Sequence, residues 1–245
     1  MSLHWYDPET GKSKHTIAKA KGDGERAVTI RDARKYNLVP SVTNIIGLLD
    51  KPFLLIWKEQ QILTACSDWP YTPGDDVEEW KKQCLNMSRQ ITYKAADNGR
   101  KVHDMLEQYY KNNEITVESS GFVAPVAQLL LEKFGDVQWY AEESFAKGGY
   151  GGTCDLYSRE ANIILDFKTK NKEDLQKLKP YKEHSMQLAA YRLGLDLPTA
   201  KCYNLFISTS NMGEMLLHEW DEEEIQRSEK MFDLLKQFWY LSNKL

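Results

Sequence analysis

The segment Ile163-Ile-Leu-Asp166-Phe-Lys168 constrains this chain more than any other. Its nearly continuous apolar residues read as a strand covered on both faces. Side chains alternate along a strand, so Asp166 and Lys168 share one face while Leu165 and Phe167 take the other. The stretch Thr153–Tyr157 reads as the preceding strand, joined through the short Ser158–Asn162 turn. A hairpin centred between Glu160 and Ala161 sets Asp155 directly opposite Asp166. Like charges facing each other across a strand pair are destabilising. Buried carboxylates and a lysine are costly unless they act together. A divalent cation between the acids, with Lys168 beside it, is the obvious relief. The competing reading is a surface hairpin with scattered charges, and the flanking Ile163, Ile164, Leu165 and Phe167 argue against it.

The rest of the chain supplies layers for such a sheet. Residues 1–40 are polar and rich in turn signals, among them Asp7-Pro8 and Gly22-Asp23-Gly24. Helices are expected over Asn44–Leu49, Phe53 to Cys66, Asp76 to Asp97, and Asn98–Lys111, where Val102, Met105, Leu106, Tyr109 and Tyr110 form one apolar stripe. A further helix over Gly121–Phe134 precedes strands at Val137–Ala146, Thr153–Tyr157 and Ile163–Thr169. Gly148-Gly149-Tyr150-Gly151-Gly152 is read as the turn between the first two. A helix over Lys182–Leu193 ends at Gly194, strands follow at Cys202–Ser208 and Met215–Trp220, and Asp221–Leu241 closes the chain as a helix. This order predicts an α/β fold with a mixed central sheet. Residues 1–97 form a largely helical N-terminal extension in this reading, and residues 98–245 form the core.

Charge and cysteine content narrow the function classes. Lys and Arg total 32 against 36 Asp and Glu, a formal charge of −4, which argues against a histone-like coating of duplex DNA but not against a local basic groove. Cys66, Cys84, Cys154 and Cys202 are widely spaced and are expected to be reduced, mostly buried thiols. The longest apolar run, Phe53–Trp57, is far short of the roughly 20 residues a bilayer span requires, so no membrane partner is expected. The opening residues lack a basic stretch followed by an apolar one, which predicts no secretory leader and a cytosolic protein.

Asp155, followed after ten residues by Asp166-Phe-Lys168, resembles the D…(D/E)-x-K core of the PD-(D/E)XK nuclease superfamily. Gly99-Arg-Lys-Val-His103-Asp-Met-Leu-Glu107 is similar to the G-x-x-x-H-x-x-x-E helix of its RecB-like branch, and Gln187-Leu-Ala-Ala-Tyr191 to that branch's Q-x-x-x-Y helix. Pro40-Ser41-Val42-Thr43, with Lys51-Pro52 and Trp57 downstream, looks like phage-encoded exonucleases and the mitochondrial genome maintenance exonucleases. Four motifs in the family's order cover about residues 36–210.

The resemblance implies a restriction-endonuclease-like αβββαβ core, with the N-terminal extension arching over the site. It implies that Asp155 and Asp166 ligate Mg²⁺ or Mn²⁺ (one or two ions) together with the Phe167 carbonyl and His103. Hard oxygen ligands suit such cations. Lys168 then orients the attacking water or meets the charge growing on the phosphorane. A glutamate on the first strand completes the catalytic set, with Glu142 favoured over Glu143 because it precedes Phe145 by three residues. Gln187 and Tyr191, at i and i+4 on one helix face, contact DNA by the same resemblance; the bland alternative makes Tyr191 a core aromatic. Ser41 and Thr43 either cap a helix or hold a phosphate. Lys170 and the following Lys172, Lys177, Lys179 and Lys182 are read as a backbone guide, and Trp57 as a base-stacking surface.

The expected activity is metal-dependent DNA exonuclease action on single-stranded ends or flaps. A structure-specific endonuclease and a decayed nucleic-acid-binding protein are the rivals, and the intact acids and lysine speak against decay. An iron–sulfur cluster, found in related CRISPR-adaptation nucleases, needs four thiolates, and Cys202 alone follows the core; none is expected. Strand polarity and oligomeric state are not legible.

Overall fold

The computed structural model describes residues 3–244 of the chain. The N-terminal region begins with β1 (Trp5–Tyr6), β2 (Thr16–Ala18) and β3 (Glu25–Ala27), then α1 (Ile30–Lys35), β4 (Val39–Pro40) and α2 (Val42–Ile46). Two long helices follow, α3 (Pro52–Asp68) and α4 (Val77–Asn112), and then α5 (Ser120–Phe134). The remainder is β5 (Tyr140–Lys147), β6 (Tyr150–Ser158), β7 (Ile163–Lys170), α6 (Lys182–Gly194), β8 (Lys201–Ser208), β9 (Met215–Glu219) and α7 (Glu222–Asn243).

The helices start where short polar side chains can satisfy the first free N–H groups. Ser41 accepts from Asn44 N at 3.0 Å, and Asp221 accepts from Glu224 N at 2.7 Å. Thr29 and Asp32 form a reciprocal capping box on α1, and Asp76 accepts from the amides of Glu78 and Glu79. At the other end of α4, Asn113 takes the left-handed conformation with φ of 58°, as a helix stop does.

Strands β5 to β9 form one sheet in sequence order. Neighbours pair antiparallel except β7 and β8, which run parallel because α6 carries the chain across between them. This is a mixed α/β fold. Helices cover both faces, and each face has its own core. On one side Phe145, Cys154, Tyr157, Ile164 and Cys202 pack with residues of α2, α6 and α7. On the other, Leu156, Leu165, Phe167 and Leu205 pack with Val102 and Leu106 of α4 and Val126 and Leu130 of α5. Coverage on both faces is why β7 reads Ile-Ile-Leu-Asp-Phe and why all five of those residues are buried. No helix among the described residues is long and apolar enough to cross a membrane.

The structure revises the expected organisation in three places. Residues 97 and 98 are not a boundary: α4 runs unbroken through both, carrying Asn98-Gly99 inside the helix where Gly99 packs against Thr169 of β7. The first 40 residues are not a peripheral polar segment. Trp5 is fully buried, packs edge-on against Trp239 of α7 with ring centroids 5.8 Å apart, and belongs to the same core as α6. The N-terminal region is therefore part strand and partly built into the core, and its helical overhang is confined to α3 and the first half of α4. The third revision is the glycine turn. Only Gly148 and Gly149 turn, whereas Tyr150, Gly151 and Gly152 already pair with β5.

Gly194 closes α6 against β5, and a Cβ there would fall inside the ring of Phe145, itself buried. Gly194→Ala should therefore cost about 1–3 kcal/mol by overpacking, lowering the melting temperature by roughly 2–12 °C. An unchanged melting curve would show that this ring can retreat.

Candidate active site

The β6–β7 register sets Leu156 against Leu165, Tyr157 against Ile164 and Ser158 against Ile163. Continued by one rung, this register brings Asp155 to Asp166, but the ladder stops at Leu156–Leu165. In place of a further backbone pair, the Asp155 carboxylate Oδ2 accepts from the Phe167 amide at 2.7 Å. The same rung is skipped on the other side of β6, where Ala141–Leu156 and Glu143–Cys154 pair while Glu142 does not. Alternation along β6 breaks at this point too, since Cys154 and Tyr157 lie in one core and Leu156 in the other. Asp155 thus sits in a local opening of the sheet, its side chain 15% exposed.

Asp166 is held more rigidly. Its side chain is 2% exposed and its Oδ2 lies 2.6 Å from Lys168 Nζ. Asn204 on the parallel neighbour β8 donates to the same oxygen at 2.7 Å and is itself fixed by Trp220 Nε1, which donates to Asn204 Oδ1 at 2.7 Å. Lys168 also donates to Gln187 Oε1 at 3.0 Å, and Gln187 Nε2 donates to the Tyr191 hydroxyl at 2.8 Å. A continuous chain of polar contacts therefore runs from Trp220 through Asn204, Asp166, Lys168 and Gln187 to Tyr191. Buried groups linked in this way hold one geometry.

His103 reaches the opening from α4. Its Nδ1 lies 3.6 Å from Asp155 Oδ2, and its ring meets Phe167 edge-on. Burial holds the imidazole below its usual pKa, against the pull of Asp166, and so favours the neutral form that can ligate a metal. Four residues before His103, Gly99 lets α4 touch β7: a Cβ there would lie 2.7 Å from Thr169 Oγ1. Glu107, one turn beyond His103, pairs with Lys111 at 2.7 Å. Glu142 takes φ of 51°, a left-handed conformation that costs a β-type residue about 1–2 kcal/mol. Burial first, then the charges of Glu107, Asp104 and Asp166, push its carboxyl up to about 7. Glu143 is exposed on the opposite side. Burial and the facing Asp166 also push Asp155 well above the usual carboxylate range, with Lys168 pulling the other way.

A cavity of about 960 Å³ opens beside this constellation. Lys168, Gln187, Thr43, Lys170 and Trp57 all line it. Ser41 does not: it is 3% exposed, and its hydroxyl is committed to the α2 cap and to Thr43. Capping is therefore its role, and Thr43 alone faces the open space. Tyr191 is also corrected. At 4% exposed it is a core aromatic, packed edge-on against Phe145, and it positions Gln187 instead of offering a surface to a ligand. Within the basic run, Lys170, Lys172 and Lys182 line the cavity, while Lys177 and Lys179 do not.

Sequence reasoning missed Asn204 and Trp220. The only signal was an asparagine inside the otherwise apolar run Cys202–Ile207, a buried amide that must find a partner. It also missed Phe53 of α3, Tyr181 just before α6 and His184 of α6, which line the cavity.

The donors available to a cation are the buried Asp166, the half-buried Asp155, an imidazole, a protonatable glutamate and the Phe167 carbonyl. In kind they fit Mg²⁺ or Mn²⁺, and a cation would offset the repulsion that now disfavours ionised Asp155. As placed, no three His, Cys, Asp or Glu side chains among the described residues form a ready metal shell. Cys66 and Cys84 lie on α3 and α4, while Cys154 and Cys202 are buried in the sheet, so the four thiols do not share one place.

No family model matches the chain, and no curated protein matches it. Among solved structures, one described as "Crystal structure of SSO0001" is similar over 72% of this chain and 85% of its own, at 16% identity and a TM-score of 0.31. A likeness that distant carries neither fold nor function across.

The Glu142 shift has a measurable consequence. Between about 4.5 and about 7 the folded protein holds a proton on Glu142 that the unfolded chain has released, so stability falls as pH rises through that window. Glu142→Gln should raise the melting temperature at pH 8 in EDTA and leave it nearly unchanged at pH 4. Equal effects at both values would contradict this assignment.

Proposed function

We propose that the protein is a metal-dependent DNA exonuclease that hydrolyses phosphodiester bonds, working from single-stranded ends or flaps. The observation that carries this reading is the cluster of Asp166 on Lys168 and Asp155 on the Phe167 amide between them in sequence, with Lys168 lining a lysine-rich cavity. Asp155, Asp166, the Phe167 carbonyl and His103 are the groups that would hold Mg²⁺ or Mn²⁺. When bound, the ion polarises the scissile phosphate and lowers the pKa of a water that attacks it.

The chain's own residues do the rest. Lys168 is aimed by Asp166 at 2.6 Å and by Gln187 at 3.0 Å. A fixed ammonium at that position meets the negative charge that grows on the phosphoryl oxygens, where preorganised cations contribute most. Gln187 cannot swing away, because Tyr191 accepts its amide hydrogen from inside the core. Asn204 and Trp220 keep Asp166 from rotating. Lys170, Lys172 and Lys182 favour a polyanion in the cavity. The start of α3 and Ala95 of α4 close over the same space, which suits a free strand better than an uninterrupted duplex.

Digestion of 5′- and 3′-labelled linear, circular and flapped DNA, with Mg²⁺ and with EDTA, tests this directly. Linear and flapped substrates should be degraded only with the metal, and a sealed single-stranded circle should resist. Lys168→Ala should slow cleavage by about 100-fold or more while DNA affinity changes little. Cleavage at the wild-type rate in that variant would remove Lys168 from the mechanism. Rapid digestion of the circle would instead favour an endonuclease.

A further inference from the structure

The cavity has a second chemical character besides its charge. Phe53, in the first turn of α3, and Tyr181, just before α6, stack on each other with ring centroids 5.7 Å apart and planes inclined by only 16°. Neither ring is buried: Phe53 is 65% exposed and Tyr181 39%. The Lys170 ammonium lies 5.4 Å from the centre of the Tyr181 ring. Among the described residues Lys170 forms no ion pair, and burial together with Lys168 holds it below the usual lysine range. Lys51, which precedes α3, and Lys182, which opens α6, complete a basic rim on which the acids are Asp50 and Glu183. The N-terminus of α3 has no capping side chain and no acidic residue in its first turn, so its positive end also faces this space, with Asp50 the acid nearest to it in sequence.

Two flat rings held open to solvent, next to cations that lack carboxylate partners, match a nucleotide unit: a planar base and a phosphate. Every base offers a face to stack on, and lysine suits the phosphate as a point charge. We propose that Phe53 and Tyr181 form a stacking platform for one unpaired base of a single-stranded DNA, with Lys170 and Lys51 holding the adjacent phosphate. A paired base has both faces covered by its neighbours, so the platform selects single strands. This deepens the nuclease reading and rests on it for the assignment of DNA as the polymer.

Binding in EDTA separates the platform from the chemistry. Fluorescence anisotropy with labelled oligothymidylate, and with a blunt duplex of equal length, should be measured for the full chain and for Phe53→Ala, Phe53→Leu and Phe53→Trp. Phe53 is exposed, so these replacements leave no cavity in the core. Losing one stacked base weakens binding about 5- to 150-fold, and the alanine and leucine variants should both lose affinity for the single strand by that amount. Tryptophan should retain it, and duplex affinity should not move. Lys170→Gln should flatten the slope of log affinity against log salt by about 0.7. Wild-type affinity in Phe53→Ala, or in Phe53→Leu, overturns the platform. If the aromatic pattern holds but the wild-type protein cleaves nothing with Mg²⁺, the nuclease reading fails and the platform stands.

Discussion

Two carboxylates of like charge, buried within reach of each other on neighbouring strands, set the terms for the rest of this structure. Unrelieved, Asp155 and Asp166 would repel in a medium that screens poorly. The fold answers with a specific set of contacts: Lys168 on Asp166, the Phe167 amide on Asp155, and Asn204 with Trp220 behind. Each of these is itself buried or half-buried, so removing any one leaves a polar group without a partner, which costs about 1–3 kcal/mol. That interdependence makes the site rigid before any ligand arrives.

The sheet is shaped around this pair. Strand β6 skips one rung against β5, at Glu142, and its ladder with β7 ends just short of Asp155; Glu142 takes a left-handed conformation at the gap. Local strain of this kind persists only where the surroundings enforce it, and it gathers at functional sites. The parallel β7–β8 pairing then puts Asn204 beside Asp166. Helix α6, which makes that parallel crossover, brings Gln187 to Lys168. One topological feature thus supplies both supports of the polar chain. On the other face, Gly99 lets α4 approach β7 closely, and His103 follows one turn later.

Much of this was legible in the amino-acid sequence, for physical reasons that differ by residue. Period-two alternation in Ile163–Thr169 told which side of β7 Asp166 and Lys168 occupy, and hairpin symmetry told which residue faces Asp166. The skipped rung was invisible, because the hydrogen bond from the Phe167 amide to a side chain leaves no trace in spacing. Tyr191 was misjudged as a DNA contact because i, i+4 spacing gives the face of a helix but not whether that face is covered, and of the two readings open for Ser41 the cap is the one that forms. Trp5 was overlooked since an isolated aromatic in a polar, turn-rich segment carries no period at all. The break placed after residue 97 falls before Asn98-Gly99, a pair that reads as a turn in the sequence, yet the backbone bonds of α4 continue through it.

The claim on which the account depends is that Asp155 and Asp166 act as one unit around a shared cation. Calorimetric titration of the DNA-free protein with Mn²⁺, comparing wild type with Asp155→Asn, tests it most directly. Because the variant keeps the shape of the side chain and removes one charge, the account predicts Mn²⁺ binding in the wild type that weakens at least about tenfold in the variant, or roughly 1.4 kcal/mol. Equal binding in the two proteins, or none in the wild type, would contradict it.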